Sequence, residues 1–250
     1  MTAWSWAAAS VRGTSHVKNG TRCQDANQCK QVGETLVAIV ADGAGSAEFG
    51  GEGASLVART IMRRAERSLA ASPTLPTEET LWSWLDEVRD LLALAAERRG
   101  SVPRAFASTL IAVLANPTET LVLHIGDGAA IMKFAAEEEW SVPLWPAHGE
   151  YASTTYFVTD DPSPQLRFER LGKAASGLVL MTDGLERLAL DFSAKTPFAP
   201  FVTNMVRPLE SNAGTGRNGD LSLQLRSYLD SEKVNSRTDD DKTLVIAVRR

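Results

Sequence analysis

Four aspartates in this sequence stand next to apolar runs that have the composition of buried β-strands. If these strands lie side by side, their ends bring the carboxylates together, and carboxylates within about 4–6 Å raise one another's pKa unless cations neutralise them. Hard oxygen ligands of this kind suit Mg²⁺ or Mn²⁺, so the pattern predicts a metal site. The aspartates are Asp42 after VAIVA, Asp127 after LVLHIG, Asp183 after LVLMT and Asp240 just before TLVIAV.

Each aspartate taken alone has a simpler interpretation. The first three are followed by glycine, and Asp-Gly after a strand is common in tight turns. The run Asp239–Asp241 is typical of a solvated loop. Glycine fits a metal site as well, because the missing side chain lets a backbone carbonyl approach an ion closely. The pattern alone leaves both the turns and the metal site open.

Signatures of other phosphate and hydrolase chemistry are missing or broken. The segment 43–48 reads GAGSAE and lacks the last glycine of G-x-G-x-x-G, and no Walker sequence occurs. The chain has no G-x-S-x-G nucleophile elbow. Its three histidines, His16, His124 and His148, form no H-E-x-x-H pair. Zinc hydrolysis and serine hydrolysis are therefore poor fits.

Blocks of strands and helices would position these aspartates. Alternation at Trp4, Trp6 and Ala8 predicts an opening strand, and apolar residues at three- and four-residue steps predict helices over 51–70 and 81–100. With no repeat and no linker, we expect one domain, residues 1–250, of layered α and β structure. Further strands are predicted over 35–40, 108–115, 120–125, 129–134, 178–181 and 243–248, a helix over 221–229, irregular structure over 140–165 and a mobile insert over 191–220.

Composition is that of an ordinary soluble globular protein. The chain has 250 residues, 44% of them hydrophobic, and a formal net charge of −5, which argues against nucleic-acid binding. No apolar stretch reaches the roughly 18 residues of a membrane span, and the N-terminus lacks a signal-peptide pattern. Cys23 and Cys29 are interpreted as reduced thiols. We therefore expect a cytoplasmic protein with no membrane partner.

Six motifs in family order resemble the PPM family of metal-dependent protein phosphatases, the type 2C serine/threonine phosphatases. No single motif is specific, but six in order over nearly the whole chain are. The first reads Gln-Asp instead of Glu-Asp, which is similar to a divergent bacterial branch. The motifs are GTSH at 13–16 with CQDA at 23–26, VADGAG at 40–45, ASTL at 107–110, IGDG at 125–128, LMTDGL at 180–185 and DDKT at 240–243.

The resemblance implies an α+β fold, a central antiparallel β-sandwich flanked by helix pairs in four αββα layers. It also implies a centre of two Mn²⁺ or Mg²⁺ ions at one end of the sandwich, with a weaker third ion beside them. The implied ligands are Asp42, which bridges both ions, the Gly43 carbonyl on one, Asp183 and Asp240 on the other, Asp25 through bound waters, and Asp127 at the weaker third ion.

The implied chemistry follows from these charges. Two cations about 3.5–4 Å apart lower the pKa of a shared water, hold it in line with phosphorus and offset the developing negative charge. No covalent phosphoenzyme is needed, which agrees with the missing nucleophile motif. The implied substrates are phosphoserine and phosphothreonine on proteins. By family analogy alone, a partner is a serine/threonine kinase whose phosphorylation this protein reverses.

The arginine that usually grips the phosphate, five residues before Asp25, is replaced by Gly20. Any cation that reaches the phosphate could serve instead, although lysine would lose the bidentate geometry. The candidates are Arg12, Lys18 and Arg22, each of which also fits an ordinary surface position.

The histidine that often follows the first Asp-Gly pair is replaced by Ala44. His16 is the candidate for the acid that protonates the leaving group, since histidine is the side chain that most often serves as a general acid near neutral pH; the alternative is a structural histidine. Gln24 removes one charge from the surroundings of the centre and Asp241 adds one.

Two other functions stay open. Gly20 and Ala44 also fit a non-catalytic regulatory or binding module of the same fold, which would bind metal without turnover. A metallophosphatase for small phosphate esters is the other alternative, and a deep pocket over the metals would favour it.

Overall fold

The computed structural model of the chain describes residues 3–147 and 155–250. The strands are β1 (Trp4–Val11), β2 (Asp25–Val32), β3 (Thr35–Asp42), β4 (Leu110–Ala115), β5 (Thr120–Ile125), β6 (Ala129–Phe134), β7 (Trp140–Ser141), β8 (Arg167–Leu171), β9 (Ala175–Met181), β10 (Leu190–Asp191), β11 (Thr196–Pro197), β12 (Gly216–Arg217) and β13 (Lys242–Arg249). The helices are α1 (Thr14–Lys18), α2 (Gly50–Ala71), α3 (Glu78–Arg98), α4 (Glu186–Ala189), α5 (Ala199–Glu210), α6 (Gly219–Leu229) and α7 (Glu232–Asn235), with 3₁₀ turns at Pro103–Phe106 and Asp183–Leu185.

The strands form two large sheets that pack face to face. One sheet has the order β12-β1-β13-β9-β6-β7 and the other β2-β3-β4-β5-β8, and every pair except β1 with β12 is antiparallel. Side chains from both sheets, among them Trp4, Val40, Ile111, Leu178 and Val245, meet in one buried cluster. The apolar strands are therefore buried on both faces, which explains their near-continuous hydrophobic runs.

Helices cover the outer face of each sheet. The apolar stripe of α2, including Val57 and Ile61, packs with α3 on the outer side of β3, β4 and β5. On the opposite side, Val202 and Val206 of α5 and Leu225 of α6 pack against β1, β9 and β13. The predicted α+β fold with four αββα layers is confirmed.

The prediction of a mobile insert over 191–220 is wrong. This segment contains the β10–β11 hairpin from Asp191 onward, α5 and the short β12. The prolines of the segment misled the prediction, because Pro200 lies in the first turn of α5, where its missing N–H costs nothing. Pro208 lies in the last turn, and the buried Phe201 and Leu209 hold the helix to the core.

The predicted irregular segment 140–165 is consistent with the structure where it is described. Its described residues include the two-residue β7 and no helix, while residues 148–154, with His148, lie outside the described part of the chain. Across the residues that the structure does describe, no helix is both long enough and apolar enough to traverse a lipid bilayer.

Candidate metal centre

The β2–β3 hairpin places two carboxylates at one end of the five-stranded sheet. Asp25 is the first residue of β2 and Asp42 the last of β3, and the antiparallel register sets them directly opposite each other. Directly opposed residues have Cβ atoms about 4.5–5.5 Å apart. The backbone of Asp42 is fixed by Thr109, whose Oγ1 accepts its N–H at 3.0 Å and whose N–H donates to its carbonyl at 2.8 Å.

The six-stranded sheet delivers three more carboxylates to the same end. Asp183 is the second residue after the end of β9. Asp240 lies just before β13, and Asp127 lies just before β6. These three strands are neighbours in the sheet, with Met181 paired to both Leu244 and Ala129. The three loops that carry these aspartates therefore lie at the same end of the three strands.

Thr182 joins the ends of the two sheets. Its hydroxyl donates to Oδ2 of Asp25 at 2.8 Å and accepts the N–H of Thr243 at 3.1 Å. The first of these bonds crosses from the six-stranded to the five-stranded sheet. It holds Asp25 beside the loops that carry Asp183 and Asp240.

Burial and mutual repulsion raise the pKa values of the clustered carboxyls. Burial raises the pKa of Asp42 well above its usual range, and Asp25, Asp183 and Asp240 raise it further. The pKa of Asp183 is raised to about 6 by burial, then by Asp127 and Asp240. The cluster thus holds more negative charge than its neighbours offset.

The pKa of Asp25 is also raised, although hydrogen bonds from two threonines partly offset the rise. Burial raises its pKa to about 8, while the hydroxyls of Thr243 and Thr182 oppose the shift. The neighbouring Asp183 carboxyl adds to the rise in the pKa of Asp42. A group of carboxyls whose ionisation is opposed by burial and by one another is a favourable site for a cation, which takes the place of the protons.

The donor set fits hard divalent cations. Oδ1 of Asp25 and Oδ1 of Asp183 are buried acceptors without a hydrogen-bond partner, and buried polar atoms are normally satisfied. Over the described ranges, no three histidine, cysteine or carboxylate side chains are already arranged as a finished set of metal ligands. The carboxylates are therefore gathered with free acceptor atoms, and a cation would draw their side chains into coordination.

Asp241 has a different place from that of its neighbours in the Asp239–Asp241 run. It is 2% exposed, and its two oxygens accept the backbone N–H groups of Gly13 at 2.6 Å and Gln24 at 2.5 Å. Nδ1 of His16 lies 3.0 Å from Oδ1 of Asp241. Asp241 therefore fastens the β1–α1 turn and the approach to β2 to the start of β13.

Two motif glycines are required by close backbone packing. A Cβ on Gly43 would lie 2.2 Å from the carbonyl carbon of Gly50 at the start of α2, and one on Gly184 would lie 2.0 Å from the carbonyl oxygen of Asp241. The sequence suggested that glycine serves the approach of a carbonyl to an ion. The structure gives both glycines a packing reason, which applies whether or not an ion binds.

The candidate phosphate-gripping cations lie on the surface around α1. Arg12, Lys18 and Arg22 are exposed, with Nη1 of Arg12 donating to the carbonyl of Thr21 at 3.4 Å. Arg22 lines a cleft beside α2 with Cys23, rather than the cleft that contains the carboxylates.

Sequence reasoning missed three charged residues beside the cluster. Arg187, Arg237 and Glu186 line the same cleft, of about 400 Å³, as Asp183 and Asp240. Burial raises the pKa of Glu186 to about 7, and Asp183 and Asp127 add to the shift. Glu186 follows Asp183 by three residues on a helical turn, a spacing that places both side chains on one face and that the sequence displays.

The chain matches known proteins over almost all of its length. Residues 12–230 match the family model described as Protein phosphatase 2C. Serine/threonine-protein phosphatase 3 of Escherichia coli (strain K12) is 34% identical over 253 aligned positions, which cover 98% of both chains. The chain therefore belongs to the protein phosphatase 2C family. The predictions of this family and of a protein-serine/threonine phosphatase are confirmed.

Solved structures of low identity share the fold. Stp1 from Staphylococcus aureus, a serine/threonine phosphatase, superposes with a TM-score of 0.62 at 16% identity, covering 97% of this chain and 94% of its own. The catalytic domain of the serine threonine protein phosphatase PstP, in complex with 2 manganese ions, gives a TM-score of 0.65 at 15% identity and covers 100% of this chain and 99% of its own.

Proposed function

We propose that this phosphatase hydrolyses phosphoserine and phosphothreonine on proteins at a centre of two Mn²⁺ or Mg²⁺ ions. The carrying observation is the convergence of Asp25, Asp42, Asp183 and Asp240 on one end of the sandwich, where burial and repulsion oppose the ionisation of the first three. When bound, such a metal pair supplies Lewis acidity and a water of lowered pKa. The two manganese ions in the PstP complex support this choice of cation.

The proposed role of each carboxylate follows from the other carboxylates with which it interacts. Asp42 interacts with Asp25, Asp183 and Asp240 and is the central member, which supports its role as the bridging ligand with the Gly43 carbonyl beside it. Asp183 and Asp240 would hold the second ion, and Asp25 would act through waters. Asp127 raises the pKa of Asp183 and lies at the margin of the cluster, which supports a weaker third site there.

His16 is proposed as the acid that protonates the departing serine or threonine oxygen. Nδ1 of His16 faces the Asp241 carboxylate at 3.0 Å, and Nε2 is the nitrogen proposed to deliver the proton to the leaving group. His124, in contrast, is fully buried in β5, and burial lowers its pKa to about 3, so it is a neutral core residue.

The proposed partner is a phosphorylated protein, either a serine/threonine kinase or a target of one. This part rests on the family and on the phosphatase names of its relatives.

The test is hydrolysis of a phosphothreonine peptide by the purified protein with Mn²⁺ or with EDTA. We expect turnover only with metal, and a loss on the order of 100-fold or more in Asp183→Asn, because a ligand is removed from the centre. Asp86→Asn, at an exposed position on α3, is the matched control and should retain full activity.

Each other outcome has a definite meaning. Turnover in EDTA, or an unchanged rate in Asp183→Asn, would show that the carboxylates do not hold a catalytic metal. Tight Mn²⁺ binding without turnover would assign the protein to the regulatory-module alternative. Hydrolysis of small phosphate esters but of no phosphopeptide would assign it to the small-ester alternative.

A further inference from the structure

A second cleft, of about 520 Å³, opens directly beside the candidate metal centre. Its apolar lining includes Leu190, Phe198 and Val234. Arg187, Leu188 and Arg237 line both this cleft and the one that contains the carboxylates. The two clefts therefore share one border, and we call the second one the Phe198 cleft.

The hairpin that precedes Phe198 is held by several hydrogen bonds. In the β10–β11 hairpin, Leu190 pairs with Pro197, and Oδ1 of Asp191 accepts the N–H groups of Ser193 at 2.9 Å and Ala194 at 3.0 Å. The N–H of Phe198 donates to the carbonyl of Ala189 at 2.7 Å. Phe198 is 49% exposed, so this hydrogen-bonded scaffold presents an aromatic residue to solvent.

A contact with the segment after β7 fixes the tip of the hairpin. The ring of Phe192 meets that of Trp145 edge-on, with centroids 5.7 Å apart and an interplanar angle of 84°. Nη1 of Arg167 in turn donates to the carbonyl of Trp145 at 2.8 Å. The cleft wall is thus tied to the main sheets at both of its ends.

The border and far side of the Phe198 cleft are positively charged. Arg187, Lys233 and Arg237 line it and are exposed, and Arg187 also interacts electrostatically with Glu186 of the carboxylate cleft. Among the described lining residues the carboxylate is that of Asp191, whose Oδ1 accepts hydrogen bonds within the hairpin turn. A substrate polypeptide that extends from the metal centre into the Phe198 cleft would therefore meet the two arginines first and the apolar surface next.

We propose that the Phe198 cleft selects substrates by binding the polypeptide next to the phosphorylated residue. An acidic side chain would pair with Arg187 or Arg237, because guanidinium binds carboxylate in a bidentate fork. A large apolar side chain a little further along would pack on Phe198. This inference rests on the proposed function, since it names the sequence context of the phosphoresidue that the metal centre hydrolyses.

The experiment compares two phosphothreonine peptides in each protein variant. The first carries Asp and Phe within three positions on both sides of the phosphothreonine, and the second carries Ser and Ala there. For the wild type we expect kcat/KM to be about tenfold higher for the first peptide. Because the ratio is taken within one preparation, a change in the active fraction of a variant cancels.

Variants of cleft residues test whether the preference for the first peptide arises in the Phe198 cleft. Phe198→Ser should bring the ratio to about 2 or less, and Arg187→Gln should lower it by removing a partner of the acidic residue. Leu223→Ser is the matched control, since Leu223 is 65% exposed on α6 and lies outside the cleft. The control should keep the wild-type ratio.

Four results would overturn the inference. Equal rates for both peptides in the wild type would remove the preference, and a preference that survives Phe198→Ser would place it elsewhere. A wild-type dimer that Phe198→Ser dissociates, with equal peptide rates, would assign the cleft to a second copy of the chain. No turnover of either peptide would overturn the proposed function along with it, whereas turnover without preference overturns the cleft alone.

Discussion

Nδ1 of His16 lies 3.0 Å from Oδ1 of Asp241, a buried carboxylate that also accepts two backbone N–H groups. The contact joins α1 to the start of β13 across nearly the whole length of the chain. Asp241 stands next to Asp240, so the proposed acid and a proposed metal ligand are positioned from neighbouring residues. The geometry separates three consecutive aspartates into an exposed loop residue, a candidate ligand and a buried anchor.

Asp241→Asn is expected to lower the free energy of unfolding by about 2–3 kcal/mol. The asparagine keeps one oxygen, but its amide group would face a backbone N–H and leave a buried donor unpaired. Urea unfolding in EDTA measures this change without any contribution from metal binding. Asp239→Asn is the control and should change stability by less than about 0.5 kcal/mol, because Asp239 is exposed. Equal effects would show that Asp241 is not an anchor.

His16→Gln is expected to separate two substrates by their leaving groups. Hydrolysis of a phosphothreonine peptide should fall by about 100-fold, because the threonine oxygen needs a proton as it departs. Hydrolysis of p-nitrophenyl phosphate should fall only about threefold or less, since nitrophenolate leaves without one. Rates at saturating Mn²⁺ check this. A similar loss on both substrates would make His16 a structural residue.

Gly43→Ala is expected to disrupt the centre, whereas Gly45→Ala is expected to be tolerated. The added methyl group at Gly43 would collide with backbone atoms of Gly50, and helix α2 cannot shift without disturbing its buried face. A destabilisation of about 3 kcal/mol or more is expected. At Gly45 no atom lies within 4 Å of the new Cβ. Thermal unfolding of both variants makes the comparison, and equal melting temperatures would contradict it.

The protein without added metal is expected to lose stability as the pH rises from about 5 to 8. The folded-state pKa values of Asp183, Glu186 and Asp25, about 6, 7 and 8, lie above the value of roughly 4 expected in the unfolded chain. In this window the folded state binds more protons than the unfolded state, so stability that is fully present below pH 4 is lost on deprotonation.

Mn²⁺ should reverse that pH trend, because it binds the deprotonated carboxylates. Melting temperatures at pH 5 and pH 8, each in EDTA and in Mn²⁺, measure the effect. The gain from Mn²⁺ should be larger at pH 8, and Asp42→Asn should reduce it. A gain that is the same at both values of pH would show that the metal does not compete with protons at these carboxyls.

The strands predicted from sequence are those whose side chains are buried on both faces. β3, β4 and β5 are continuous apolar runs, and their burial in the sandwich explains why these runs were readable. β2 and β8 escaped the prediction because both are edge strands of the five-stranded sheet, with half-buried polar residues such as Gln28 and Glu169. Their polar, half-buried residues leave neither an apolar run nor a clear alternation in the sequence.

The candidate site was only partly accessible to sequence reasoning. Strand ends marked the aspartates, because a buried strand must stop where a charge begins. The register that opposes Asp25 to Asp42 and the hydroxyl of Thr182 that spans both sheets are tertiary features with no local signal. The same applies to Arg187 and Arg237, whose place beside the carboxylates depends on how α4 and α7 fold back on the sheet edge.

The position of β13 has a consequence for protein synthesis. Although β13 follows the other strands in the chain, it lies inside the six-stranded sheet, between β1 and β9. On the ribosome, β1 and β9 therefore emerge before the strand that joins them, and Asp240 arrives together with it. A nascent chain that has not reached β13 has neither a closed sheet nor a complete set of carboxylates. The proposed metal centre can therefore form only in chains whose translation has passed this strand.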